Sequence, residues 1–202
     1  TAYGDVHLRR YVDLDVVVPQ DRFRDLDQRL KELGYQCPDR KQDLTGWRRS
    51  LARYLSGQWQ YSRGEGAFSL DVHTRVLPPG YSFPVAFEDL WRRSRDVTLT
   101  ADITVRGLHP VDHALLLCYH GMKTQWRALK YVADFSGLLR SGPDCTEGAL
   151  IERARQTNST RVLALGFCLA HKLLHVSLPK DVQNWLSEKP IDDIADQVKR
   201  YL

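Results

Sequence analysis

The ten residues from Arg10 to Pro19, Arg-Tyr-Val-Asp-Leu-Asp-Val-Val-Val-Pro, constrain this chain more than any other stretch. They are rich in β-branched side chains and close on a proline, as a strand does. Side chains alternate along a strand, so Asp13, Asp15 and Val17 share one face while Leu14, Val16 and Val18 take the other. The second face is core. Asp21 is then placed to cap a helix through Leu33, with Phe23, Leu26, Leu30 and Leu33 at helical spacing and Gly34 where a C-terminal glycine cap belongs.

The same alternation returns at Phe68–Val76, where Leu70, Val72 and Thr74 oppose Asp71, His73 and Arg75. Between these strands, Trp47, Leu51, Tyr54 and Leu55 suit a short helix, and Gln58 to Ser62 reads as a strand. Pro78, Pro79 and Gly80 end the second acid-bearing strand, and an aromatic segment, Phe87 to Trp91, leads to a strand near Val97 to Val105. After His109-Pro110 the pattern turns helical. Leu115, Leu116, Tyr119, Met122, Trp126, Leu129, Val132 and Leu138 predict one apolar stripe as far as Leu139. Further helices are expected over Thr146–Asn158 and Thr160–His175, before Pro179 and an amphipathic tail from Asp181 to Leu202. A two-part α+β architecture follows: a sheet-containing half over 1–106 and a helical half over 107–202.

Composition removes several alternatives. The 29 basic and 25 acidic side chains are mixed along the sequence, which argues against a nucleic-acid coat protein. No run approaches the roughly 18 apolar residues of a membrane span, and the first residues lack a signal-peptide core. The expectation is a cytoplasmic protein with no membrane contact. The four cysteines, at 37, 118, 145 and 168, lack CxxC spacing and suit reduced thiols. His171 and His175 stand at i, i+4, but Lys172 occupies the place of the HExxH glutamate, so packing or surface roles are expected for them. GxSxG, Walker and GxGxxG motifs are absent, which leaves hydrolase, P-loop and dinucleotide classes unsupported.

The acids carry the chemistry. Asp13 and Asp15 on one strand face stand roughly 6 to 7 Å apart at Cα, close enough for their oxygens to converge on one or two hard cations. Mg²⁺ or Mn²⁺ suits such an oxygen site and completes its shell with water and substrate phosphates. Asp71 is the candidate third acid of a two-metal arrangement, because its strand also sets the acid opposite the core face. His73 points the same way and is expected to orient Asp71. Asp25 and Asp27 lie within a helix, on different sides, and are set aside.

The segments Tyr3-Gly4-Asp5, Leu8-Arg9-Arg10, Asp13-Leu14-Asp15-Val16-Val17-Val18, Leu33-Gly34-Tyr35, Leu70-Asp71-Val72-His73, and Leu115-Leu116-Leu117-Cys118-Tyr119-His120-Gly121 through Asp134 resemble the uncharacterised nucleotidyltransferase family of the polymerase-β-like superfamily. The resemblance spans nearly the whole chain. It implies a small mixed sheet with flanking helices and a C-terminal helical bundle, Mg²⁺ on the strand aspartates, and transfer of a nucleoside monophosphate from a nucleoside triphosphate to an acceptor. By motif, Asp13 and Asp15 are the Asp-x-Asp pair and Asp71 the Leu-Asp-x-His acid. In that family a phosphate-cradling turn precedes the Tyr-Gly segment by a helix. No such turn precedes Thr1, and the expectation is a fragment whose parent carries it.

The resemblance also places an arginine near Arg10, expected to neutralise phosphate or fix Asp13. On a continuous helix, His120, Lys123, Arg127, Lys130 and Asp134 fall within roughly 80° of one another, a polar stripe opposite the apolar one. By itself such a stripe reads as a solvent face; the resemblance implies that His120, Lys123 and Asp134 bind nucleotide, ATP or another triphosphate, with the helical half closing the cleft. The acceptor is a small molecule, a peptide or RNA. A second reading keeps the cleft for binding a nucleotide or protein partner without catalysis. An RNA-binding module ranks last, because the aromatics sit at core positions.

Overall fold

The computed structural model describes residues 13–37, 47, 57–64, 69–77, 80, 81, 83, 85–140 and 145–202. Arg10 and all of the expected Trp47–Leu55 helix except Trp47 itself lie outside the described residues. The chain has the expected α+β composition and divides into two compact units, which meet between residues 81 and 82 in sequence.

The first unit carries β1 (Asp13–Val17), α1 (Phe23–Glu32), β2 (Gln58–Tyr61) and β3 (Ser69–His73). Its sheet runs β1-β3-β2, with β3 parallel to β1 and antiparallel to β2. The alternation read from the sequence decides the faces. Leu70 and Val72 of β3 and Trp59 and Tyr61 of β2 turn to one side, where Leu30, Phe23 and Leu26 of α1 cover them. The Phe23 ring lies 4.0 Å from that of Trp59, and the Tyr61 hydroxyl donates to Asp27 at 2.7 Å, tying helix to sheet. Asp27, set aside as a ligand, thus has a structural partner.

Helix α1 stops where the glycine predicts. Gly34 adopts φ +83°, its N–H donates to the Lys31 carbonyl, and Tyr35 N–H donates back to Leu30, both at 2.9 Å. These two bonds form a Schellman motif, and Tyr35 and Leu30 join the same core. The helix start differs from expectation. Asp21 sits in a 3-10 turn, Gln20–Arg22, and α1 begins without a side-chain cap, because Arg22 N–H already donates to the Pro19 carbonyl.

The second unit opens with α2 (Phe87–Arg93) and a two-stranded hairpin, β4 (Arg95–Thr100) and β5 (Ile103–Gly107). The expected single strand over Val97–Val105 is therefore folded back at Ala101-Asp102, pairing Val97 with Val105. The helices α3 (Pro110–Lys123), α4 (Leu129–Arg140), α5 (Glu147–Gln156), α6 (Thr160–Leu174), α7 (Lys180–Ser187) and α8 (Asp192–Tyr201) follow. His109 caps α3 by accepting from Val111 N–H, with Pro110 at the first helical position, and Thr146 caps α5 through Ala149 N–H. Helix α3 packs on α4, α5 and α6, which bury Leu115, Phe135, Leu150 and Phe167.

The continuous helix expected from 110 to 139 is two helices. Gln125 and Trp126 take φ of 55° and 53°, and the Trp126 ring, 1% exposed, folds back onto α3. Gly121 makes this fit possible: a Cβ there would stand 2.5 Å from Trp126 Cε3. Gly121→Ala is expected to destabilise the unit by about 1 to 3 kcal/mol through overpacking, read as a lowered melting temperature; an unchanged melt would show that the corner does not depend on this approach.

A buried ion cluster joins α2, α3 and α5. Asp112 accepts from Arg93 Nε and Arg153 Nε, each at 2.7 Å, and Arg153 also donates to Asp89. The Arg153 hydrogen bond holds the Asp89 carboxyl below its ordinary value of 3.8, against partial desolvation that raises it. A depressed native pKa stabilises the fold above the unfolded value, and that contribution fades as pH falls through the native one. The melting temperature is expected to drop less below about pH 4 in Asp89→Asn than in wild type; parallel acid limbs would refute this.

Among the described residues, no helix is long and apolar enough to cross a membrane.

Candidate metal centre

The polar face of the first sheet is built by register. In the parallel β1/β3 pair, Asp15 lies opposite Asp71, Asp13 opposite Ser69 and Val17 opposite His73. On the other side of β3, Gln60 lies opposite Asp71 and Gln58 opposite His73. Long side chains also reach their diagonal neighbours, roughly 7 to 8 Å away. The geometry uses those diagonals. His73 Nε2 comes within 2.9 Å of Asp15 Oδ1, and Gln58 Nε2 donates to Asp71 Oδ2 at 2.6 Å.

The expectation that His73 orients Asp71 is corrected here: His73 meets Asp15, and Gln58 takes the orienting place. Parallel pairing explains the exchange, because it sets Asp15 one diagonal from His73, while Gln58 reaches Asp71 from the opposite strand.

One donor atom from each of Asp15, Asp71 and His73 lies within 4.8 Å of the others. The cluster is graded in depth. Asp71 is 6% exposed, His73 has 20% of its side chain exposed, and Asp15 stands at the rim with 66%. Asp71 Oδ1 is buried with no hydrogen-bond partner, and among the described residues it is the sole carboxylate oxygen in that condition. An unpaired buried charged oxygen is costly, and two carboxylates directly opposite repel each other. A cation relieves both.

The donor set fits one. In an octahedral shell with bonds of about 2.1 Å, adjacent ligands stand roughly 3.0 Å apart and opposite ligands roughly 4.2 Å. The 2.9 Å between His73 and Asp15 matches adjacent positions, and the 4.8 Å bound asks for only a small contraction.

Of the sequence-predicted residues, the structure brings together Asp15 and Asp71. Asp13 lies two residues along β1 on the same face and does not join the cluster. His120, Lys123 and Asp134 belong to the second unit. His120 is exposed with its ring 5.2 Å from that of Tyr131, Lys123 ends α3 in an exposed position, and Asp134 is buried in α4. Arg127 and Lys130 do not continue a stripe from α3, because the chain turns at residues 124–128.

Sequence reasoning missed Gln58. Its signal was the polar alternation of Gln58 and Gln60 against Trp59 and Tyr61, which points to a partner only once the pairing is known.

A comparison with protein families matches residues 1–175 to the uncharacterised nucleotidyltransferase family. The chain belongs to that family. A search of curated proteins finds no match. Membership gives the chain a nucleotidyltransferase-type function with a nucleotide substrate, and the Asp15–Asp71–His73 cluster lies on β1 and β3.

Proposed function

We propose that this nucleotidyltransferase is a Mg²⁺- or Mn²⁺-dependent enzyme that transfers a nucleoside monophosphate from a nucleoside triphosphate, ATP among the candidates, to a hydroxyl-bearing acceptor. The observation that carries the reading is the buried Asp71 carboxylate, whose Oδ1 has no hydrogen-bond partner and whose residue pairs in register with a second acid, Asp15. Asp15 and Asp71 hold the cation, and Asp13, two residues along the same face, takes part from the rim as substrate arrives.

A bound divalent cation supplies charge neutralisation at the triphosphate and acidifies an attacking hydroxyl. Asp71, fixed by Gln58, orients the acceptor hydroxyl, whose proton leaves toward that carboxylate. The acceptor oxygen bonds to the α-phosphorus while the bond to the β-phosphate breaks, and pyrophosphate departs. His73 stands 2.9 Å from Asp15 at the same site. Family resemblance supports nucleotide contacts by Arg10 and by His120 and Lys123, exposed on the helical half, 107–202, whereas Asp134 is buried there. A cytoplasmic location accords with a nucleoside triphosphate donor.

A thermal-shift series with the four ribonucleoside triphosphates, each with and without Mg²⁺, tests the reading. At about a hundred times Kd a ligand stabilises by about 2.7 kcal/mol, which is worth roughly 5 to 10 °C in a protein of this size. A Mg²⁺-dependent rise with one triphosphate, absent in Asp15→Ala, is expected. No rise with any of them would overturn the enzymatic reading.

A further inference from the structure

We propose that His73 is a direct ligand of the cation, so that the site takes a divalent transition ion of the Mn²⁺ type in preference to Mg²⁺. The inference rests on the reading that the Asp15–Asp71 pair holds a cation, and adds to it the ligand that decides which one.

Three observations carry it. His73 Nε2 and Asp15 Oδ1 are 2.9 Å apart, the separation of neighbouring ligands on one octahedral ion. The Asp71 carboxylate, the third member of the cluster, is oriented by Gln58 at Oδ2 and keeps Oδ1 buried without a hydrogen-bond partner. The His73 backbone is fixed on both sides, paired with Val17 of β1 and Gln58 of β2, with its carbonyl accepting from Val18 N–H at 2.8 Å. The imidazole therefore hangs from a backbone position fixed on both sides, and only side-chain rotation moves the ring.

The chemistry of that donor set is mixed. Mg²⁺ is hard, demands oxygen and keeps its water, whereas imidazole nitrogen suits the transition ions. With its proton on Nδ1, the ring offers a lone pair at Nε2. Two carboxylates suit both ions, and the nitrogen beside them tips the preference from Mg²⁺ toward Mn²⁺. The competing role for His73 is to donate from Nε2 to Asp15 and merely position it, and this makes a different prediction. Loss of a positioning residue weakens every cation alike, commonly by about 10- to 100-fold; loss of a nitrogen ligand weakens Mn²⁺ selectively.

The test uses the full chain at one fixed pH, with MnCl2 and MgCl2 as probes and no nucleotide. Pulsed electron paramagnetic resonance of the Mn²⁺-loaded wild type is expected to show ¹⁴N modulation from a directly bound imidazole. Calorimetry is expected to give Mn²⁺ binding tighter than Mg²⁺, with His73→Gln losing the ¹⁴N signal and cutting the Mn²⁺/Mg²⁺ affinity ratio by roughly tenfold or more. Mn²⁺ bound without ¹⁴N modulation, or an unchanged ratio in His73→Gln, would overturn the assignment of His73 while leaving the carboxylate site standing. Failure of both cations to bind the wild type would overturn the cation reading itself, and the inference with it. The wild-type spectrum needs no variant, so misfolding of His73→Gln leaves the test decisive.

Discussion

Replacing Asp71 by asparagine is expected to lower nucleotidyl transfer by at least about a thousandfold while leaving the protein folded. The substitution keeps shape and keeps an oxygen for Gln58, whose amide now bonds Asp71 Oδ2 at 2.6 Å. It removes only charge. A cation at such a site contributes several kcal/mol of charge stabilisation in the transition state, and each 1.4 kcal/mol or so is tenfold in rate. The same change relieves repulsion between Asp71 and Asp15, paired directly across β1 and β3, so the cation-free variant should melt no lower than wild type. Activity lost while stability is kept or gained is the signature of a residue held for function. Pyrophosphate release with the triphosphate identified by thermal shift measures the first half, and a cation-free melt the second. Turnover within tenfold of wild type would remove Asp71 from the reaction.

Asp71 is legible in the sequence because its signal is local. Alternation along five residues puts Asp71 and His73 opposite Leu70 and Val72, and the same logic sets Asp13 and Asp15 opposite Leu14 and Val16. The stop of α1 is legible for the same reason, since Gly34 and its two backbone bonds span only a few residues. The register is not legible. Whether Asp71 faces Asp13 or Asp15 depends on a parallel pairing between strands far apart in the chain, and no side chain in either strand states it alone. Hence alternation by itself sends His73 to the wrong acid and passes over Gln58. The α3–α4 corner fails differently. Met122, Trp126 and Leu129 keep helical spacing across the break, so periodicity alone cannot see it. Only the contact of the Trp126 ring with the bare Cα of Gly121 discloses that the indole has turned back on the preceding helix.

The second large effect concerns stability, and it turns on which member of a charged cluster is deepest. Arg93, Arg153, Asp89 and Asp112 carry two charges of each sign. The Asp112 side chain is 1% exposed and that of Arg153 9%, against 32% for both Asp89 and Arg93. Removing Asp112 takes the shared acid from both arginines and leaves Arg153 Nε unpaired in the interior, where breaking a buried pair costs about 3 to 5 kcal/mol. Removing Asp89 takes away the half-exposed acid and leaves Arg153 still bonded to Asp112, and pairs that water reaches are worth about 0 to 1 kcal/mol. Asp112→Ala is therefore expected to lower the melting temperature by roughly 10 °C, at about 2 to 4 °C per kcal/mol, and Asp89→Ala by much less. The order identifies burial as the cause. Equal losses, or the reverse order, would show that the pairings count alike regardless of depth. A double variant, Asp112→Leu with Arg153→Met, removes both deep charges and lets half-exposed Arg93 turn to solvent. Since apolar replacement of a buried pair is often neutral, it should recover more than half of what Asp112→Ala loses, because the penalty lies in the stranded charge and not in the missing bond.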